Sequence, residues 1–284
     1  MSSKMRHINA FKIFCLSVLF ICGCTDLDEV AKFSSLAQSA GSSLPALVGD
    51  FKGTCLRQNE LAPKSKPNLQ RDCAVYDKMT PNLQQAQSVL TDYLTALGKL
   101  ASDSDPGYGK TLDALGGNFK DAGLAQDQVD ATTAASGLAK KITNAALEGY
   151  RRKEITKLVS ESNDDVQKLT TALSDIVSKD YATMLSNEGL GIEDYYRTAL
   201  NNYTQNEPLS ALLVKKQWDE EIIALQNRID AATAYGKLMK DIATSNQKIA
   251  QQKNKIGTKD LIKVIGPEVA DMEQSVESLN KAFK

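Results

Sequence analysis

The chain has 284 residues, and its 34 Lys and Arg are balanced by 35 Asp and Glu, so it lacks the basic excess that nucleic-acid-binding proteins use. We therefore expect no nucleic-acid partner. The single histidine, His7, lies close to the N terminus. If residues 1–23 are removed as a signal segment, the mature chain has no histidine. Its absence excludes histidine acid-base catalysis, Ser-His and Cys-His nucleophile activation, and histidine-ligated metal sites.

Residues 1–23 have the layout of an export signal. Three basic and no acidic residues fall within the first 12 positions, and an apolar run follows at residues 13–22. The run is about half as long as the roughly 20 residues of a membrane-spanning helix. It closes on Ile21-Cys22-Gly23-Cys24, which resembles the bacterial lipobox. Cys24 fits the lipidated cysteine of that motif, while Cys22 stands where the family usually has Ala, Ser or Thr.

The resemblance implies a bacterial lipoprotein that is cleaved before Cys24 and anchored to the membrane of the cell envelope by acyl chains. Thr25 follows the cysteine, where Asp retains enterobacterial lipoproteins in the inner membrane, so the outer membrane is favoured in a Gram-negative cell. Cleavage leaves 261 residues and removes three basic ones, which changes the net charge to −4. The alternative is an ordinary cleaved signal with a coincidental cysteine.

The remaining cysteines predict a disulfide. Cys15 and Cys22 leave with the signal and Cys24 is lipidated, so the mature chain keeps only Cys55 and Cys73 as a pair. An even number of cysteines in an exported protein favours a structural bridge. A redox-active pair is the alternative, but such pairs are usually spaced much more closely.

The rest of the chain predicts helices. Apolar residues recur at steps of three and four over residues 76–100, 155–177 and 209–249, and a helix broken near Gly41 fits residues 26–55. Pro81 either starts a helical segment or kinks one. Glycine and proline predict breaks at 102–124, 187–191, 204–208, 257–258 and 266–267. We expect an all-α, elongated multi-helix bundle with long amphipathic helices, forming one domain over residues 24–284.

Several motifs have a functional and a structural interpretation. Residues 104–111 end like a phosphate-binding loop, but Ser104 replaces its first glycine. Solvated helix faces explain the charged runs Asp164-Asp165, Asp219-Glu220-Glu221 and Arg151-Arg152-Lys153 better than binding sites do. For Tyr195, Tyr196, Tyr203 and Trp218, packing within the bundle is favoured over a binding platform.

The sequence therefore predicts no catalytic, cofactor or metal site, and we expect a protein that is not an enzyme. The leading interpretation is a non-catalytic binding or structural module whose partners are the membrane, through the lipid anchor, and an unknown envelope protein. The alternative is a membrane-active or immunity-type effector that rearranges its Ala-, Gly- and Thr-rich residues 114–147. A third hypothesis is an enzyme that uses only Asp, Glu, Lys or Tyr.

Overall fold

The computed structural model describes residues 27–41, 44–62, 70–101, 134, 137–138, 141, 151–203, 207–256 and 259–282. Its helices are α1 Asp28–Gly41, α2 Leu44–Leu61, α3 Val75–Ala101, α4 Arg151–Asp175, α5 Ala182–Tyr203, α6 Pro208–Gln251 and α7 Lys259–Ala282. A π-helical segment, Ile176–Tyr181, joins α4 to α5, and a short 3₁₀ turn, Lys253–Lys255, follows α6. The described ranges contain no strand, and the predicted all-α multi-helix bundle is confirmed.

Helix α6 is the central element of the bundle. Its 44 residues extend about 66 Å at 1.5 Å per residue, and α4, α5 and α7 all pack along it. The apolar seam of α3 faces the same core, with Tyr93 and Leu94 fully buried. Tyr93 donates a hydrogen bond to the Asn246 side chain, and Tyr235 donates one of 2.8 Å to Gln87 Oε1. These bonds satisfy two buried hydroxyls and link α3 to α6.

Three of the six expected helix breaks agree with the observed helix bounds. Helix α1 ends at Gly41, α5 ends at Tyr203 before Pro208 begins α6, and α7 begins just after residues 257–258. Helix α3 runs through Pro81 without ending. The expected loop at 102–124 lies outside the described residues.

The expected break at residues 187–191 is wrong, because α5 continues through both of its glycines. Gly189 faces α6: a Cβ atom there would lie 3.0 Å from Leu225 Cδ2. The glycine therefore permits a close approach of two helices, and the packing that results outweighs its low helix propensity.

The expected break at residues 266–267 is also wrong, because α7 passes through Pro267. The proline cannot donate a backbone hydrogen bond, but Lys248 of α6 reaches the helix on either side of it. Its Nζ donates to the Val264 carbonyl at 2.9 Å and to Glu268 Oε1 at 2.6 Å. These bonds from a neighbouring helix hold the two parts of α7 together.

One part of a predicted seam is exposed. Leu209, Leu212, Leu213 and Ile222 were expected to face the core, but they lie on the accessible surface of α6, and Ile223 is exposed beside them. The core-facing residues of this turn region are instead Val214, Trp218 and Leu225. The periodicity predicts the helix correctly, but two apolar faces are present and the sequence pattern assigns the wrong one to the core.

We expect Gly189→Leu to lower the free energy of unfolding by about 1–3 kcal/mol, because the added side chain enters space that Leu225 occupies. The matched control is Gly49→Leu on α2, where a Cβ would meet no atom within 4 Å. Urea denaturation of both variants measures the difference. Equal stabilities would contradict the close packing of α5 on α6.

Candidate functional site

Four charged side chains from three helices meet inside the bundle. Asp50 and Arg57 lie two turns apart on α2, which places them on the same face of that helix. Glu188 comes from the middle of α5 and Arg228 from α6. We call these four residues the charge cluster. It is the largest group of interacting buried charges in the described part of the chain.

Glu188 lies at the centre of the charge cluster, and its side chain is 0% exposed. Its Oε1 atom accepts hydrogen bonds from Arg57 Nε at 2.6 Å and from Arg228 Nη2 at 2.7 Å. Asp50 closes the arrangement, since Arg57 donates to both of its carboxylate oxygens at 2.9 and 2.8 Å. The two positive and two negative charges balance, which is the condition for keeping ionised groups away from water.

Neutral groups complete the coordination of Asp50. Thr54 Oγ1 donates to Asp50 Oδ2 at 3.1 Å, and the Tyr181 hydroxyl donates to the same oxygen at 2.5 Å. Tyr181 is the last residue of the π segment, and its ring stacks on Phe51 of α2 with 4.6 Å between centroids. The π segment therefore contributes both a donor and an aromatic contact to the cluster.

The local environment fixes the protonation states of two of these groups. Burial by itself would lower the pKa of Arg57, but its hydrogen bonds to Asp50 and Glu188 outweigh that effect and raise the pKa above its ordinary value. Burial, reinforced by the nearby Asp50 carboxylate, raises the pKa of the Tyr181 phenol. The guanidinium therefore stays charged and the phenol stays protonated at neutral pH.

The cluster is suited to holding helices in place. Each of its four charges already has an opposite charge within 4 Å, although Arg228 Nε is buried without a hydrogen bond. The hydroxyls of Thr54 and Tyr181 donate to a carboxylate whose charge is already paired with arginine. The described residues contain no group of three metal-ligating side chains, here or elsewhere. The chemistry of this arrangement is orientation of α2, α5 and α6.

The disulfide starts from the same turns of α2 that carry Asp50 and Arg57. Cys55 and Cys73 are both buried, are bonded to each other and have Cα atoms 5.8 Å apart, in agreement with the predicted bridge. Asn59 reinforces the link, because its amide donates to the Arg71 carbonyl at 2.9 Å and its Oδ1 accepts from the Arg71 backbone amide at 2.8 Å. The bridge therefore ties the second half of α2, including Arg57, to the residues that lead into α3.

Several predicted positions lie outside the described residues. These are the lipidation candidate Cys24, the phosphate-loop-like residues 104–111, and nearly all of residues 114–147. The side chains of Arg151, Arg152 and Tyr203 also lie outside the description, while Lys153 is exposed.

The acidic runs have different environments. Asp164 is exposed and pairs with Lys168 at 2.7 Å, which confirms a solvated helix face there. The same expectation is wrong for Asp165, whose side chain is only 17% exposed and pairs with Lys141 at 2.8 Å. Asp219 and Glu220 are exposed on α6, as expected, whereas Glu221 is half-buried.

Among the aromatic residues, Tyr196 is buried and stacks on the partly buried Trp218 with 6.3 Å between centroids, which confirms packing within the bundle for this pair. Tyr195, in contrast, is half exposed. None of the four residues of the charge cluster was singled out from the sequence. Asp50 and Arg57, seven positions apart, give a weak signal, and Glu188 falls where a break was expected.

Comparison of the chain with protein-family models, with curated proteins and with solved structures finds no match.

We expect Glu188→Gln to lower the free energy of unfolding by about 3 kcal/mol, because it leaves two largely enclosed guanidinium groups facing a single carboxylate. The matched control is Glu277→Gln, which removes an exposed partner of Lys281 and should leave the unfolding transition unchanged. Chemical denaturation measures both variants. A Glu188→Gln protein as stable as the control would show that the cluster does not hold the helices.

We expect Cys55→Ser to lower the free energy of unfolding of the oxidised protein by about 3 kcal/mol. The bridge closes a loop between two cysteines that are 18 positions apart, and without it the unfolded chain gains conformational entropy. Thermal melting with and without a reducing agent compares the oxidised and reduced states of each protein. Reduction should bring the wild type down to the level of the variant and leave the variant unchanged. Equal melting of the two oxidised proteins would contradict a stabilising bridge.

Proposed function

We propose that this protein is a bacterial envelope lipoprotein, anchored through Cys24, whose helical body is a non-catalytic binding or structural module. The observation that carries the proposal is the run Ile21-Cys22-Gly23-Cys24 at the end of a basic and then apolar N-terminal segment. The outer membrane is the proposed location if the host is Gram-negative, because Thr25 follows the cysteine.

The start of the fold supports a short tether. Leu27, three residues after Cys24, is already buried, and α1 begins at Asp28. Three residues of extended chain reach at most about 11 Å. A lipid on Cys24 would therefore hold the start of α1 at the membrane surface. Among the described helices none is both long and apolar enough to cross a bilayer.

The interior of the bundle supports a rigid module. The four ionisable groups of the charge cluster are paired with each other, and a disulfide starts from the same part of α2. Such an arrangement preserves the relative positions of helices, which a binding surface needs. A disulfide also suits an exported protein, because oxidising compartments maintain it.

We expect Cys24→Ala to abolish metabolic labelling with palmitate, because the sulfur that carries the lipid is removed. The matched control is Cys22→Ala, which leaves Cys24 in place and introduces a residue that lipoboxes commonly have at that position. The control should label as strongly as the wild type. Labelling that persists in Cys24→Ala, or that disappears equally in both variants, would contradict the anchor.

A second measurement separates the module from a membrane-active effector. Mature protein added to dye-loaded liposomes should cause no leakage if the helical body is a rigid binding module. Leakage that depends on residues 114–147 would instead support the effector hypothesis and refute the proposal made here.

A further inference from the structure

The N-terminal part of α6 carries an apolar face that no described helix covers. Leu209, Leu212, Leu213 and Ile223 are 62 to 71% exposed. Three exposed leucines within five residues, with Ile223 about 15 Å further along the same helix, are more than the scattered exposure of a typical surface, and such groupings commonly mark interaction sites. The other face of the same turns packs on the bundle through Val214, Trp218 and Leu225.

The exposed face has the spacing of a coiled-coil seam. We call the following six residues the outer stripe of α6: Leu209, Leu213, Lys216, Glu220, Ile223 and Asn227. They follow one another at alternating steps of four and three, so they lie along one side of the helix. All six are exposed. This spacing lets a second helix lie along the stripe with its side chains interdigitated.

The outer stripe of one copy is complementary to the outer stripe of a second copy that runs in the opposite direction. In an antiparallel pair of α6 helices with a two-fold axis level with Trp218, Leu213 of one copy lies opposite Ile223 of the other, and Lys216 lies opposite Glu220. Leu209 lies opposite Asn227 at the two ends. At the four inner positions, apolar residues thus meet apolar residues and each lysine meets a carboxylate. A two-fold interface requires such self-complementarity.

The central charges also select this arrangement over others. Within one copy, Lys216 Nζ and Glu220 Oε1 are 3.7 Å apart and both side chains are largely exposed, so they can pair across an interface as well as along the helix. A parallel pairing would place Lys216 against Lys216 and Glu220 against Glu220. Charged residues within a seam set helix orientation in this way.

The charge of this part of α6 argues against the bilayer as the occupant of the stripe. Asp219, Glu220 and Glu221 outnumber Lys215 and Lys216, whereas helices that lie on lipid surfaces are rich in basic residues.

From these observations we infer that the protein associates with a second copy of itself through the outer stripe of α6, antiparallel and about a two-fold axis near Trp218. This interface is independent of lipidation, because its residues and its geometry do not involve Cys24.

Charge exchange tests the pairing. Full-length chains with two different affinity tags are co-expressed, and the fraction that co-purifies is measured. Lys216→Glu on both chains, or Glu220→Lys on both, should reduce co-purification about tenfold, because two like-charge contacts replace two ion pairs. A Lys216→Glu chain co-expressed with a Glu220→Lys chain should recover it. All substituted positions are exposed, and unchanged thermal melting verifies folding.

Cysteine trapping tests the direction of the helices. The double variant Leu213→Cys/Ile223→Cys should give a disulfide-linked dimer on mild oxidation, whereas each single variant should not, because like positions lie ten residues out of register. Efficient trapping of both single variants would indicate a parallel pair and overturn the inference. Failure of the double variant, or failure of the mixed charge variants to recover, would also overturn it.

A lipid-binding stripe gives a different set of results. If chains with different tags do not co-purify, and Leu213→Asp weakens binding to vesicles of phosphatidylethanolamine and phosphatidylglycerol, the stripe contacts lipid and the inference is refuted. Palmitate labelling that persists in Cys24→Ala would refute the anchor without bearing on co-purification. Absent co-purification would refute the self-association without bearing on labelling, so the two proposals fail separately.

Discussion

The contact on which the interior of this bundle depends is the one between the Glu188 carboxylate and the two guanidinium groups of Arg57 and Arg228. A fully buried carboxylate tolerates its loss of water only while both partners stay in place, and those partners belong to different helices. Helices α2, α5 and α6 therefore cannot move apart independently. The disulfide at Cys55 and the ring of Phe51 on Tyr181 act on the same part of α2, so covalent, ionic and aromatic contacts all fix one helix against its neighbours.

Much of the architecture follows from periodicity. The seams of α3 and α6 and the ends of α1 and α5 are readable because long amphipathic helices and their terminating residues leave strong local signals. The pairing of Cys55 with Cys73 follows from counting. The errors at residues 187–191 and 266–267 have a common physical origin: Gly189 and Pro267 weaken a helix locally, but Leu225 and Lys248 on another helix compensate. Contacts of that kind join distant parts of the sequence and cannot be read from a local window.

The charge cluster was not predictable for the same reason. Asp50, Arg57, Glu188 and Arg228 come from three segments, and each by itself is indistinguishable from a solvated surface charge. The outer stripe of α6 presents a different difficulty. The sequence pattern identified its leucines as part of a helix but assigned them to the core. A helix with apolar residues on two faces gives one periodic signal, and only the fold shows which face is covered. Cys24 and the Ala- and Gly-rich residues lie outside the described ranges, so the anchor and the effector hypothesis depend on the sequence alone.

The π segment, Ile176–Tyr181, determines which residue of α5 lies between Arg57 and Arg228. Four buried residues are spaced four positions apart through this region: Leu173, Val177, Tyr181 and Leu185. In a regular α-helix, side chains with this spacing gradually rotate away from one face. The wider π turn absorbs one extra residue, so these side chains stay on the same face. If residues 176–181 kept α-helical geometry, every side chain of α5 would be turned by about 100°. The position between the two arginines would then belong to Asn187, a neutral amide. One wide turn thus decides that the chain places a carboxylate there, and with it the charge balance of the charge cluster.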